Sequence, residues 1–312
     1  MLRYIWKHTY IKQYLDELIT ARIDMFTKEQ IASCMKQCDE IYQKNRWKEI
    51  SETCKTHALE IYISDNFKLK LYTDSIISKY IYFNCFEKDE LLFLQRFLQP
   101  EDICIDIGAH IGLFSLHASQ IVGENGMVYA FEPTQKTFSR LQENISLNSA
   151  KNIHAIHAAL SNTEGTAELN VTSLGYDAWN SLTKPSLGKI QHTETISTKT
   201  LDAFMQTIEK KHAVKFIKID VEGWEIPVLQ GGKDFLTQKN APTLLIEFTD
   251  ENAKNAGHSC KDLYNLLLSY GYTLFSYNAY ENKLTQERLR SEYPYMNLIA
   301  TKNKTEIEAR IQ

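Results

Sequence analysis

Five acids each stand at or just past the end of a short apolar run: Asp106, Glu132, Asp220, Glu222 and Glu247. A parallel strand that ends in an acid delivers it to the rim of an open α/β sheet, where ligands bind. The first case is Ile103-Cys-Ile-Asp-Ile-Gly-Ala-His-Ile-Gly112, followed by the helical run Leu113 to Ala118. It reads as a buried strand, a tight Gly-x-x-x-Gly loop and a helix. A pyrophosphate wants bare backbone N–H groups and positive potential at such a turn, and a carboxylate at the loop mouth repels it. A cofactor bearing an ammonium and a sulfonium is attracted by the same carboxylate. The turn therefore points to S-adenosylmethionine rather than NAD.

The second case is Val128-Tyr-Ala-Phe-Glu-Pro133, whose acid stands 24 residues after Gly108. A carboxylate ending the second strand of such a sheet accepts hydrogen bonds from ribose hydroxyls. Pro133 starts the next turn without needing a backbone donor. The third is Phe216-Ile-Lys-Ile-Asp-Val-Glu-Gly-Trp-Glu225, and the fourth is Leu244-Leu-Ile-Glu-Phe248. Asp220, Glu222 and Glu247 should share the rim with the first two acids. Burial raises a carboxyl's pKa toward useful base strength, so Asp220 or Glu222 is expected as the catalytic base. No metal ligand set is assigned. The alternative is a hard cation such as Mg²⁺ on Asp220 and Glu247, the ends of adjacent strands.

In this order, Asp106-Ile-Gly-Ala-His-Ile-Gly112, Phe131-Glu-Pro133, Ala158-Ala-Leu-Ser161, Thr200-Leu-Asp202 and Lys218-Ile-Asp-Val-Glu-Gly-Trp-Glu225 resemble the FkbM family of S-adenosylmethionine-dependent methyltransferases. The resemblance covers about residues 85 to 250. It implies a class I methyltransferase fold and O-methylation of sugars and secondary metabolites. It implies cofactor contacts at Asp106, Gly108, Ala109, His110, Gly112, Glu132 and Pro133, and around Ala159 and Ser161. It implies a catalytic role for Asp220 and Glu222. Two positions depart from the family: Thr134-Gln135 stand where Asn-Pro is common, and Gly-Ala-His replaces Gly-Ala-Asn. The expected acceptor is a small molecule or glycan. Methyltransfer to protein or RNA, or a non-catalytic cofactor-binding scaffold, are the alternatives.

These residues need a sheet to hold them. From residue 102 onward strand and helix patterns alternate. Strands are expected at 102–107, 127–132, 152–157, 214–220, 243–248, 271–276 and 296–301, with helices at 112–122, 134–148, 199–211, 225–238 and 259–270. Such alternation predicts a Rossmann-like, seven-stranded, mostly parallel sheet with helices on both faces. The segment 163–198 departs from it. Thr166–Val171 and Thr193–Ile196 read as an antiparallel pair around a polar loop, and long loops in compact domains are usually functional. Tyr176, Asp177, Asn180 and His192 in this insertion, with Glu247, are the substrate-site candidates.

Residues 1–65 are expected to be a helical extension, and 66–312 the catalytic domain with its core at 100–301. Thr27-Lys-Glu-Gln30 forms a capping box, and Ile31, Cys34, Met35, Cys38, Ile41 and Tyr42 recur at helical spacing. Trp47, Ile50, Cys54, Ala58 and Ile61 give a second stripe, so helix is expected over 10–62. These helices would cap the catalytic domain, or join copies into a homo-oligomer or dock a partner. A β ribbon is expected within 66–83, around Thr73-Asp74. The net charge of −4 lacks a basic block and disfavours nucleic acid. No apolar stretch is long enough for a signal or a membrane span. The six cysteines lack zinc-type spacing and read as reduced thiols, so the cytoplasm is the expected location.

Overall fold

The computed structural model describes residues 28–54, 56–64, 67–172, 181–182 and 189–311. The chain separates into two units, 1–53 and 54–312. The described part of the first is helix α1 (Lys28–Thr53). Trp47 and Ile50 are buried, whereas Ile41 and Tyr42 are exposed. Thr27 of the expected capping box, and any helix before it, lie outside the described residues.

The second unit opens with an antiparallel ribbon, β1 (Ala58–Ser64) and β2 (Phe67–Tyr72). Helices α2 (Ile76–Tyr82) and α3 (Lys88–Phe97) follow. The helix expected through residue 62 therefore stops short, because Ala58 and Ile61 fit two periods at once. The run Leu59-Glu-Ile-Tyr-Ile63 alternates inward and outward, and its β-branched and aromatic residues favour strand. Conversely, Ile76, Ile77, Tyr80 and Ile81 lie on a helix, not in a ribbon. Ser75 caps it by accepting from the Ser78 N–H at 3.2 Å.

Thereafter the units alternate: β3 (Ile103–Ile107), α4 (Leu113–Val122), β4 (Met127–Phe131), α5 (Gln135–Leu147) and β5 (Ile153–Ile156). An insertion follows, with β6 (Ala159–Leu160), β7 (Gly165–Thr172) and β8 (Ile190–Lys199). Next come α6 (Leu201–Gln206), β9 (Val214–Ile219), α7 (Glu225–Gly231), α8 (Lys233–Leu236) and β10 (Thr243–Phe248). The chain continues with α9 (Asp250–Asn255), α10 (Cys260–Ser269), β11 (Thr273–Asn278), β12 (Lys283–Gln286), β13 (Met296–Thr301) and α11 (Lys304–Arg310).

The main sheet has eight strands in the order β12-β11-β13-β10-β9-β3-β4-β5. Strands β10, β9, β3, β4 and β5 pair in parallel, and β13 runs antiparallel between β10 and β11. The expected seven strands are present, and β12 adds a short antiparallel edge. It escaped sequence reading because Leu284 is its one buried residue. From β3 the chain builds outward to β4 and β5, then crosses back to β9 and β10. That reversal opens a crevice beyond the carboxyl ends of β3 and β9.

Alternate residues of the sheet feed two cores. Cys104, Val128, Phe216 and Leu245 pack with α3, α4 and α5. Ile103, Ile105, Ile107, Ile217 and Ile246 pack with α6, α7, α8 and α10. The insertion forms its own sheet, with β6 parallel and β7 antiparallel to β8. Its small core joins Ala159, Leu169 and Ile196.

Phe216 sits at the centre of the first core, fully buried, with the Phe97 ring 5.7 Å away and the Phe93 ring 6.1 Å away. Phe216→Ala is expected to cost about 3–5 kcal/mol of stability through lost transfer energy and a residual cavity. Urea unfolding checks it: the midpoint should fall with the slope unchanged.

Candidate active site

A cleft of about 570 Å³ opens at the carboxyl ends of β3, β4, β9 and β10. Its first wall is the loop after β3. The N–H groups of Gly108 and Ala109 donate to the Phe131 carbonyl at 3.0 and 2.9 Å, and the Asp220 N–H donates to the Ile107 carbonyl at 3.1 Å. The loop is thus laced to both neighbouring strands. Gly108 has φ +84°, and a Cβ there would lie 1.9 Å from the Asp220 carbonyl oxygen. No side chain fits, so glycine is required for the close approach.

Two carboxylates face this loop. Asp106 is 1% exposed. Its Oδ2 accepts from the Ser115 hydroxyl at 2.6 Å, while its buried Oδ1 has no hydrogen-bond partner among the described residues. Burial pushes this carboxyl above its ordinary pKa against the pull of Lys218. Glu132 is also buried. Its two oxygens accept from the backbone N–H groups of His110 at 3.1 Å and Thr134 at 2.9 Å. Burial raises it too.

The second wall is the loop after β9. Glu225 is buried and accepts from the N–H groups of Gly223 at 3.2 Å and Val221 at 3.3 Å. It folds the loop back over the strand end. Gly223 has φ +98°, and a Cβ there would strike the Asn252 carbonyl oxygen at 2.5 Å. The neighbouring Trp224 donates its indole N–H to the Ser161 hydroxyl at 3.1 Å. The insertion reaches the same loop, with the Ser181 hydroxyl donating to the Glu222 carbonyl at 3.0 Å.

Three carboxyls meet here: oxygens of Asp220, Glu222 and Glu247 lie within 4.8 Å of one another. The Lys218 ammonium donates to Asp220 Oδ2 at 2.7 Å. The Asn252 amide donates to Glu222 Oε2 at 2.6 Å and to Glu247 Oε1 at 3.2 Å. Thr249 also donates to Glu247 Oε1. Burial works to raise Asp220, but Lys218 outweighs it and holds that carboxyl below its ordinary value. Glu222 goes the other way: burial, then repulsion from Asp220, push it well above the ordinary range. Glu247 is raised well above that range by burial and then by repulsion from Glu222 and Asp220. The expectation that burial raises either candidate base thus holds for Glu222 and reverses for Asp220, because Lys218 is paired with it.

Asp106, Gly108, Ala109, His110, Glu132, Pro133, Ala159, Asp220, Glu222 and Glu247 all line the cleft. Three expected residues do not. Gly112 underlies the start of α4 at φ +93°. Ser161 acts from behind by holding Trp224. His192 is exposed on β8 and pairs with Glu194 at 3.2 Å. Tyr176, Asp177 and Asn180 lie outside the described residues. The cleft also gathers residues that sequence reading passed over: Glu87, Glu90, Phe114, Lys218, Asn252 and Tyr295. The missed signal at Lys218 is its spacing, since residues i and i+2 of a strand share a face.

Of the eight non-glycine left-handed residues among those described, three line the cleft: Glu87, His110 and Glu222, at φ 38°, 50° and 52°. Such conformations cost about 1–3 kcal/mol each and cluster where function over-determines the backbone.

The methyltransferase FkbM domain model matches residues 106–274. A protein named Methyltransferase 1, from Beauveria bassiana, is 27% identical over 151 residues, covering 43% of this chain and 60% of that protein. The hexuronic acid methyltransferase AglP of Haloferax volcanii is 29% identical over 181 residues, covering 58% of this chain and 67% of that protein. The crystal structure of a methyltransferase FkbM from Methylobacillus flagellatus shares 16% identity at a TM-score of 0.40, covering 73% of this chain and 55% of that one. The match to the Beauveria protein thus spans less than two thirds of its length.

Burial raises Glu225 to about 7, opposed by its backbone hydrogen bonds. The folded chain therefore holds this proton more tightly than the unfolded chain. The stability so gained is fully present below the ordinary carboxyl value and is lost as pH rises through about 7. Glu225→Gln keeps an oxygen for Val221 and Gly223 but cannot ionise. Between about pH 5 and about pH 8 the variant should lose ~1–3 kcal/mol less stability than the parent. Urea unfolding at both pH values decides it, and parallel losses would refute this role for Glu225.

Proposed function

This chain belongs to the methyltransferase FkbM family, and we propose that it methylates a hydroxyl of a sugar, glycan or small metabolite, using S-adenosylmethionine. The observation that carries this reading is the placement of three kinds of carboxyl on one cleft. Asp106 offers a buried oxygen with no partner among the described residues. Glu132 ends the adjacent strand, and Glu222 follows β9.

The residues present fit the cofactor. Asp106 Oδ1 needs a donor, and an ammonium is one that a carboxylate rewards and a pyrophosphate cannot provide. Glu132 has each oxygen steadied by one backbone N–H, which leaves lone pairs for ribose hydroxyls. Gly108 and Ala109 line the cleft with backbone rather than bulky side chains. When bound, the cofactor supplies an electrophilic methyl group on a sulfonium sulfur.

The remaining chemistry belongs to the chain. An acceptor hydroxyl must be held in line and must lose its proton as its oxygen bonds. Positioning is worth roughly 7–11 kcal/mol in favourable intramolecular cases. Glu222 is the better-matched base, since burial and Asp220 raise its proton affinity while Lys218 lowers that of Asp220. Asn252 holds Glu222 Oε2, leaving Oε1 to take the proton. Asp220 stays ionised against Lys218 and keeps the adjacent rim negative, which favours departure of the proton toward Glu222. The concentration of acids disfavours a phosphodiester acceptor, because nucleic acid is bound by neutralising its phosphates.

The AglP relative is named a hexuronic acid methyltransferase, which supports carbohydrate among the candidate acceptors. Mass spectrometry of sugar and metabolite panels, seeking the gain of one methyl group, tests the reading directly. Asp106→Ala should abolish calorimetric binding of S-adenosylmethionine, and wild-type affinity in that variant would move the ammonium contact elsewhere. Glu222→Gln should bind cofactor normally and lose about 100- to 10,000-fold in turnover. In the parent, kcat/KM should rise with pH as Glu222 ionises, and that limb should vanish in the variant.

A further inference from the structure

Charge is unevenly distributed in the cleft. Among the described residues lining it, Lys218 is the sole lysine or arginine, and it is already paired with Asp220. Once Asp106 and Glu132 are given to the cofactor, six acids remain: Glu87, Glu90, Asp220, Glu222, Glu247 and Glu251. One of them, Glu87, carries a buried oxygen that asks for a donor. Glu247 is 4% exposed and is joined to Asp220 by a hydrogen bond. Glu87 Oε1 accepts from the Tyr295 hydroxyl at 3.0 Å, while its buried Oε2 has no hydrogen-bond partner among the described residues. An unpaired buried acceptor costs free energy until a ligand supplies the donor.

Glu87 is also placed at some conformational cost. It stands at the N-cap position of α3 with φ 38°, yet its side chain caps nothing. The side chain turns instead to the cleft and to Tyr295 and Asn297. Asn297 also donates to Glu90 Oε1 at 3.2 Å, tying the two acids together. The left-handed backbone of Glu87 turns a carboxylate whose buried oxygen is unpartnered among the described residues toward the cavity, and strained residues cluster at ligand clamps.

Resting on the methyl-transfer reading, the geometry points to an acceptor that carries an ammonium beside the methylated hydroxyl, an amino sugar or similar hydroxy-amine, held by Glu87 with Glu90. Among the described residues, a hexuronate would bring its carboxylate against Glu87, Glu90 and Asp220 with no unpaired lysine or arginine to meet it, and like-charge contact of this kind is how sites reject wrong ligands. An ammonium brings the missing donors and relieves the repulsion that Asp220 and Glu90 exert on Glu87. This separates the chain from its AglP relative in acceptor charge.

The test gives the full-length protein and S-adenosylmethionine three matched panels: aminohexosides, neutral hexosides and hexuronates. Mass spectrometry locates the added methyl. Calorimetry measures acceptor binding with S-adenosylhomocysteine present. Aminohexosides should be O-methylated with kcat/KM roughly tenfold or more above the neutral sugars, and N-acetylation should erase the advantage. Glu87→Gln should remove the same roughly tenfold from binding of the amine while sparing neutral sugars, with thermal unfolding confirming a folded variant. Preference for hexuronates, methylation on nitrogen, equal loss for both sugars in Glu87→Gln, or turnover lost on chelation and restored by Mg²⁺ would each overturn the inference and leave methyl transfer standing. Failure to bind cofactor, or no methylation in any panel, would sink the functional reading itself.

Discussion

One buried ammonium makes this rim of acids sustainable. Eight acidic side chains line the cleft and a single lysine answers them among the described residues. Lys218 lies on the central strand β9, 5% exposed, 2.7 Å from Asp220 and 4.9 Å above the Phe114 ring. Burial disfavours its charge, yet Asp220, Glu87 and Asp106 hold the ammonium above its ordinary range. Breaking such a pair by removing one partner costs about 3–5 kcal/mol, because the other charge is left buried and alone. The same pairing divides labour among similar groups. Asp220, next to Lys218, keeps its charge. Glu222 and Glu247 are raised instead, by burial and then by neighbouring carboxylates. Environments that push neighbouring carboxyls apart are how one site runs both charge stabilisation and proton transfer.

The backbone enforces this electrostatic arrangement. The loop after β3 lies so close to Asp220 that only glycine fits at residue 108. The Asp220 N–H is in turn tied to Ile107. Asp106 and Asp220 thus sit on adjacent strands with no freedom to separate. On the far side, Gly223 against the Asn252 backbone brings Glu222 to the amide that also holds Glu247. The strained φ values at His110 and Glu222 are what these two close approaches impose on residues that are not glycine.

Much of the parallel core was legible because the strands announce themselves. Ile103–Ile107, Met127–Phe131, Val214–Ile219 and Thr243–Phe248 are short apolar runs with acids in or after them, and a run buried on both faces has few other fates. The acids of those runs were found for that reason. What escaped depends on tertiary contact. Glu87 gains meaning from Tyr295, 208 residues away, and no local period reports that pairing. Asn252 reads as an ordinary polar residue in a short helix until Glu222 and Glu247 are seen on either side of it. The lowered pKa of Asp220 was the exception, since Lys218 stands two residues earlier on the same strand face. Ala58 and Ile61 misled because two positions three apart satisfy a helix, while the alternation that decides the matter lies between and beyond them.

The two halves of the cleft are built from different materials, and this bears on how acceptor preference changes. Asp106, Gly108 and Glu132 sit at the ends of β3 and β4 within the interlocked turn, so altering them disturbs the close approach that positions Asp220. Glu87, Glu90, Glu251 and Tyr295 come from helix starts and from the connection before β13. Such segments tolerate substitution better than strand ends do. Their charge can change while Lys218, the Gly108 turn and the buried Glu225 keep the rim intact. Lys218 is the one residue that couples the halves, since Asp106, Asp220 and Glu87 all hold its charge. A substitution that reverses charge at Glu87 therefore also acts on Asp106 and Asp220 through Lys218, and the neutral, isosteric glutamine, which removes the charge without reversing it, is the smaller perturbation of that coupling.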